Sequence, residues 1–200
     1  VSYEKRALIR YLLPKFLRIR NYREFWALKD VDFELENGMT LGMIGANGAG
    51  KTTVLNILAG ITAPTEGRFE VNGRISAIMS LGAGFHPELT GEENIYLNAS
   101  ILGLNMRQIK KRLKEIIEFS GLGNFINAPL RTYSSGMYMR LGFSIAVNVD
   151  FDILLLDEIL SVGDIGLQRK CLEKLRYMRS LKKTIILVTQ SLDLLSELCD

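Results

Sequence analysis

Eight residues constrain this chain more than any others. Gly45-Ala46-Asn47-Gly48-Ala49-Gly50-Lys51-Thr52 fit the spacing G-x-x-x-x-G-K-[ST], directly after the apolar run Leu41 to Ile44 and directly before a helix-like segment. Glycines in such a loop lack a Cβ and reach the φ angles that let consecutive backbone N–H groups curl round an anion. Lys51 then reaches the β and γ oxygens of a triphosphate, and Thr52, with Thr53 beside it, offers its hydroxyl to Mg²⁺. The helix starting near Lys51 aims its positive end at the phosphates. Strand before and helix after predict an α/β core built around a nucleotide.

The rest of the sequence extends that rhythm. Val31, Phe33 and Leu35 alternate with Asp32, Glu34 and Glu36, which predicts a half-buried strand closed by the turn Asn37-Gly38, with Trp26 packed at its start. Two further strand-like runs, Arg68 to Val71 and Arg74 to Met79, are split by Asn72-Gly73. The middle turns helical. Thr90 with Glu93, and Asn105 with Gln108, have the spacing of capping boxes, and Gly121 stops the long periodic run that the second one opens. From Phe151 the order is strand (Ile153 to Leu156), helix (about 167–181), strand (Thr184 to Thr189) and helix (from about Leu192). Continuous apolar strands separated by helices predict a mainly parallel sheet buried on both faces. We therefore expect one domain: an α/β core from 25–82 and 149–200, a helical subdomain inserted at 83–148, and an arm at 1–24.

That arm stands apart by charge. Residues 1–23 hold seven cations against Glu4 alone, interleaved with Leu8, Ile9, Leu12, Leu13, Phe16, Leu17 and Ile19 at helical spacing, although Pro14 interrupts the pattern. Such an arm suits an anionic lipid surface or an acidic partner, or packs on its own domain as an ordinary amphipathic helix. Nothing downstream continues the basic stripe, which argues against nucleic acid. No apolar run approaches the roughly 18 residues of a membrane span. Cys171 and Cys199 lack metal-ligand spacing and no signal peptide opens the sequence, so the expectation is a reducing, cytoplasmic setting with both thiols in the core.

A second motif narrows the chemistry. The buried strand Ile153 to Leu156 runs into Asp157-Glu158, placing two carboxylates at its C-terminal end, where open α/β sheets bind ligands. Asp157 suits the Mg²⁺ shell. Glu158 is placed to polarise an attacking water, since phosphoanhydride hydrolysis needs an in-line nucleophile and neutralised γ-phosphate charge.

Three more stretches carry a family resemblance. They are Thr132-Tyr133-Ser134-Ser135-Gly136-Met137 before a helix, Leu81-Gly82-Ala83-Gly84-Phe85-His86-Pro87-Glu88-Leu89-Thr90-Gly91 with Glu93-Asn94-Ile95, and Ser161-Val162-Gly163-Asp164 after the carboxylates. From about Phe25 to Asp200 the chain resembles the nucleotide-binding domain of ATP-binding-cassette (ABC) transporters, in the branch that exports polysaccharides and teichoic acids. The resemblance implies a P-loop NTPase, RecA-like core with a helical insert, binding ATP and Mg²⁺. It implies a homodimer in which Ser134, Ser135 and Gly136 close over the partner's ATP, with Asp164 at the interface. It also implies a membrane-spanning permease dimer as partner, with the exported lipid-linked glycan handled indirectly, at the cytoplasmic face of a bacterial membrane. The Phe85 to Asn94 region would meet the permease.

The sequence departs from that family pattern in three places. Gln190 stands where a histidine is usual, which leads us to expect a form that binds ATP and closes but hydrolyses slowly, because an amide cannot become a cation near neutral pH. Ser80 and Leu81 stand near the place of a common glutamine. Tyr3, Tyr22 and Phe25 are all candidates for stacking on adenine. The sequence also reads as stopping before the further strands, and in some members the carbohydrate-binding domain, of the family. Two other readings stay open: a non-transport ABC ATPase acting as a mechanical switch, and an ATP-dependent pairing module that does not hydrolyse.

Overall fold

The computed structural model describes residues 25–79, 84–158 and 165–200. Along the chain run β1 (Thr40–Met43), α1 (Lys51–Leu58), β2 (Ile75–Ile78), α2 (Gly91–Ile101), α3 (Met106–Ser120), two short 3₁₀ turns (Gly123–Asn127 and Leu130–Thr132), α4 (Ser135–Asn148), β3 (Ile153–Asp157), α5 (Ile165–Ser180), β4 (Thr184–Val188) and α6 (Leu192–Leu198). The strands form one sheet in the order β1-β4-β3-β2, with every pairing parallel. The expected α/β architecture with a mainly parallel sheet is therefore present.

Burial explains why the two central strands are apolar throughout. On β3 and β4, Leu154, Leu156, Ile185 and Leu187 pack into a large core with the helices α2 to α6, whereas Ile153, Leu155, Ile186 and Val188 face the other way, onto Leu55 of α1. Alternate residues thus serve two cores, and neither face can be polar. No strand is described between Ile78 and Ile153, so the helical stretch α2 to α4 stands as an insert between β2 and β3.

The caps act where the spacing places them. Thr90 and Glu93 exchange side-chain and backbone bonds at the start of α2, Asn105 and Gln108 do the same at α3, and Gly121 ends α3 at φ 63°. The end of α4 is pinned by Arg112, which donates to the Asn148 carbonyl at 3.0 Å and to Asp150 at 2.6 Å, while Lys174 of α5 donates to Asn148 Oδ1 at 2.7 Å. These bonds hold the last turn of α4 where it feeds β3.

Two expected strands are not formed. The turn at Asn37-Gly38 is present, with Gly38 at φ 84°, but residues 31–36 before it run without a ladder, with Val31 and Phe33 exposed. The returning strand β1 takes β4 as its parallel partner instead of folding back, and an isolated two-stranded hairpin is marginal in water. Residues 68–71 are likewise irregular and largely exposed, and the run expected from Arg74 starts its ladder at Ile75. Trp26, expected to pack at a strand start, is instead about half exposed, at 47%. Cys171 is buried and Cys199 partly so, both as free thiols. The arm 1–24, with Tyr3 and Tyr22, the segment 80–83 and the segment 159–164 with Asp164 lie outside the described residues.

Candidate functional site

The site forms at the C-terminal edge of the sheet, where β1, β3 and β4 each end in a loop. From β1 the chain enters Gly45 to Gly50, with Gly48 at φ 82° and Gly50 at φ 92°. Gly50 is the cap of α1 and supplies no side-chain bond to the helix N-terminus, so the first N–H groups of α1 remain directed toward the loop. A Cβ on Gly50 would fall 2.6 Å from Leu28 and 2.8 Å from the Ala27 carbonyl. Glycine is required here twice over, by backbone conformation and by space.

Lys51 folds back over the loop, its Nζ donating to the carbonyls of Gly45 at 2.6 Å and Ala46 at 3.0 Å. Its ammonium thus sits at the mouth of the anion nest. Thr52 donates its hydroxyl to Asp157 Oδ2 at 2.7 Å, joining the first turn of α1 to the last residue of β3. One hydroxyl and one carboxylate are hard oxygen donors. Mg²⁺ is commonly held by one or two carboxylates, its remaining positions filled by water and substrate phosphates, so the pair fits that ion. Among the described residues no cluster of three or more histidine, cysteine or acidic side chains offers a fully proteinaceous cage.

Glu158 follows at φ 51°, in the left-handed region that costs a non-glycine residue on the order of 1 kcal/mol. Its backbone N–H donates to the Val188 carbonyl at 2.9 Å, which fixes the strained residue against the end of β4. Two residues past Val188, Gln190 donates its amide to Glu158 Oε1 at 3.0 Å and to Asn47 Oδ1 at 3.3 Å. One side chain therefore ties the carboxylate to the phosphate loop. The sequence marked Asn47 only as a loop member; its bond to Gln190 joins residues far apart in the chain, and no local spacing announces it.

The helical insert presents the other group. Ser134 caps α4, its hydroxyl oxygen accepting the Met137 N–H at 3.2 Å, and Ser135 and Gly136 form the first turn of that helix. The Ser134 hydroxyl keeps its proton to donate, beside the positive end of a 14-residue helix. Ser134 and Ser135 are exposed, so this end of α4 faces outward. Tyr133, next to it, is held by its hydroxyl on the Phe125 carbonyl at 2.7 Å, and burial pushes its phenol upward from the ordinary value.

The loop ahead of α2 is ordered by a residue that local spacing carries no chemical reason to single out. Asn94, fully buried, donates to the carbonyls of His86, Leu89 and Thr90 at 2.9–3.1 Å and accepts the His86 N–H at 2.7 Å. Phe85 lies edge-on to Tyr138 of α4 at 5.0 Å. Phe25, the described member of the adenine-stacking candidates, is 87% exposed and contributes no packed face to the site.

Fold and site together define a phosphate-loop nucleotide-binding α/β protein with a helical insert. The family profile of the ABC transporter matches residues 28–161, and the chain belongs to that family. It is 47% identical to the O-antigen export system ATP-binding protein RfbB of Klebsiella pneumoniae, over 89% of this chain and 72% of that protein. It is also 44% identical to the teichoic acids export ATP-binding protein TagH of Listeria monocytogenes serotype 4b, over 94% of this chain and 55% of that one. Among solved structures, an ATP-binding subunit of an ABC transporter superposes with a TM-score of 0.80 at 24% identity, covering 90% of this chain and 80% of the other. A dimeric ATP-binding cassette in a post-hydrolysis state with ADP and Pi gives 0.74 at 23% identity, covering 86% and 85%. At these identities the structural likeness speaks for the fold.

Proposed function

We propose that the chain is the ATP-binding and hydrolysing subunit of an ABC exporter of lipid-linked polysaccharide or teichoic acid, working as a homodimer beneath a membrane-spanning permease dimer. The observation that carries this reading is the convergence of Lys51, the Thr52–Asp157 pair and Glu158 at one sheet edge, in a chain whose relatives are named for O-antigen and teichoic acid export. No described helix is long and apolar enough to cross a membrane, and by this reading a separate partner spans it. The chain would then sit at the cytoplasmic membrane face through that partner.

The residues divide the work. Gly45 to Gly50 wrap the phosphates with backbone N–H groups, and Lys51 leaves the loop carbonyls to meet the terminal oxygens. Thr52 and Asp157 would hold Mg²⁺, which supplies charge neutralisation on the phosphates when bound. Glu158 orients and deprotonates the attacking water. Ser134 and Ser135, exposed at the positive end of α4, complete with Gly136 the nucleotide site of a second copy. ATP is then shared between two surfaces. A ligand at 100 times its dissociation constant stabilises the state that binds it by about 2.7 kcal/mol per site, enough to close a weak dimer. Hydrolysis removes the shared phosphate contacts and reopens it. Gln190 in place of a histidine makes this form a slow hydrolase that still closes.

The test is oligomeric state and phosphate release in ATP and Mg²⁺, for the parent chain beside Lys51→Ala. The parent should pair in ATP and release phosphate slowly, while Lys51→Ala should do neither. A Lys51→Ala chain that pairs and hydrolyses like the parent overturns the reading.

A further inference from the structure

Four cations form one row along α3. Arg107, Lys110, Lys111 and Lys114 stand three and four residues apart on the face opposite the buried Ile109 and Ile116, and all four are exposed. The two carboxylates of the helix, Glu115 and Glu118, lie toward its C-terminal end and are engaged, with Lys174 at 3.3 Å and Lys114 at 3.8 Å. Among the described residues Arg107, Lys110 and Lys111 meet no carboxylate in an ion pair. Helix stability gives no reason for the row. Arg107 stands in the first turn, where the dipole disfavours a cation and no acid offsets it, and like charges at this spacing repel. On either side of the short turn that opens the row stand two large apolar side chains, Ile101 at 62% exposure and Met106 at 56%.

We infer that this row is a contact face for anionic lipid headgroups, with Ile101 and Met106 entering the boundary between headgroups and acyl chains. Cations beside exposed apolar side chains match such a surface in both charge and hydropathy. The row holds no aromatic side chain to stack on a base, which sets it apart from a single-strand nucleic-acid platform. Its place in the fold points the same way. The loop ahead of α2 runs back along that helix: Asn94, near the helix start, donates to the carbonyls of His86 and Leu89, and Ile101, at its end, has its Cδ1 3.0 Å from where a Cβ on Gly84 would stand. The segment from Phe85 to Asn94 therefore begins one residue from the apolar end of the row. The choice of lipid rests on the exporter reading above, in which that segment meets a permease and a bilayer surrounds it. Contact there would hold the helical insert to the membrane beside the permease.

The test is cosedimentation of the full chain with phosphatidylcholine vesicles, with and without phosphatidylglycerol, in the absence of nucleotide. The parent should bind the vesicles that contain phosphatidylglycerol, and less so as salt is added. A cation near an anionic surface contributes about fivefold, so Arg107→Ala/Lys110→Ala/Lys111→Ala should lower the partition coefficient by about tenfold or more. Lys110→Arg/Lys111→Arg should bind as the parent does, and Ile101→Ser/Met106→Ser should weaken binding while leaving its salt dependence in place. Circular dichroism checks that each variant is folded. The loss from the triple substitution should persist beside Lys15→Ala/Arg18→Ala/Arg20→Ala, which separates the row from the basic sequence before residue 25. A parent that does not bind, or a triple variant that binds as tightly as the parent, overturns the inference. So does a triple variant that keeps the vesicles but loses poly(U) RNA, which would mark a nucleic-acid face. Because no nucleotide is present, the result is independent of the Lys51→Ala test: pairing and hydrolysis that fail there sink the exporter reading, whereas vesicle binding that ignores the row sinks the lipid face alone.

Discussion

Gln190 and Glu158 are hydrogen-bonded at 3.0 Å, amide to carboxylate, and the same amide reaches Asn47 of the phosphate loop. The bond leaves Glu158 an acceptor, so it is compatible with the role of base proposed for it. What it lacks is charge. A histidine at this place could carry a proton and a positive charge toward the γ-phosphate, and an amide cannot. We expect Gln190→His to raise the ATP turnover number on the order of 10²-fold, the usual scale of acid–base assistance, and to introduce a pH dependence near neutrality that the parent lacks. ATP-driven pairing should change little. A steady-state phosphate-release assay across pH reads both effects, and equal turnover for the two chains would refute the assignment.

The 2.7 Å bond from the Thr52 hydroxyl to Asp157 makes a prediction about metal dependence. Removing one oxygen from a charge-assisted pair costs about 1.5 kcal/mol or more, which is roughly tenfold. Thr52→Ala should raise the Mg²⁺ concentration for half-maximal hydrolysis by about that factor, while Thr52→Ser, which keeps the hydroxyl, should stay near the parent. A magnesium titration at saturating ATP separates them. Equal titrations for Thr52→Ala and the parent would remove Thr52 from the metal site.

Much of this architecture was readable because it is encoded locally. The continuous apolar runs on β3 and β4 reflect burial on two faces, and the pairs Thr90/Glu93 and Asn105/Gln108 cap helices because the bonds span three residues. The position of Asp157-Glu158 at the end of β3, beside the loop that leads into α1, was legible for the same reason. The segment at 31–36 was misread because alternation specifies which face is apolar but not whether a neighbouring strand accepts the backbone, and β1 pairs with β4 instead. The contacts of Gln190 with Asn47, Asn94 with the 86–90 loop and Arg112 with Asp150 depend on tertiary geometry, so spacing carried no signal for them.

Gly91, the first residue of α2, tests how the insert holds its serine cap. A Cβ there would lie 2.2 Å from the Tyr133 hydroxyl oxygen and 3.0 Å from the Ile126 carbonyl. Alanine is the better helix former by about 1 kcal/mol, yet the clash dominates, because Tyr133 is tied to the Phe125 carbonyl and Ile126 is backbone. We expect Gly91→Ala to destabilise by about 1–3 kcal/mol, the range for overpacking, and to weaken ATP-driven pairing through the displaced Tyr133-Ser134 segment. Adding Tyr133→Phe removes the closest clashing atom and should recover part of the loss. Urea unfolding of the three variants decides it; a fully stable Gly91→Ala would show that the segment is looser than its contacts imply.

Acid sensitivity follows from two aspartates at the N-terminal edge of the sheet, one bonded to the first residue of β1 and the other just ahead of β3. Asp200 takes the Arg179 guanidinium and the Thr40 N–H, and these bonds hold its carboxyl below the ordinary value of 3.8. Asp152 is lowered chiefly by the Arg74 N–H; desolvation opposes this, and the charge of Lys183 and the Arg74 side chain add smaller lowering contributions. A carboxyl depressed in the folded state contributes stability that is fully present above its unfolded value and disappears as pH falls through the folded one. The urea midpoint should therefore stay flat in this respect from about pH 7 to about pH 5 and decline below about pH 4. Asp152→Asn and Asp200→Asn should each lower the midpoint near neutrality, yet converge on the parent at acid pH, where the parent's own carboxyls are protonated. Persistent gaps at low pH would mean that these side chains act through shape or neutral hydrogen bonding and not through charge.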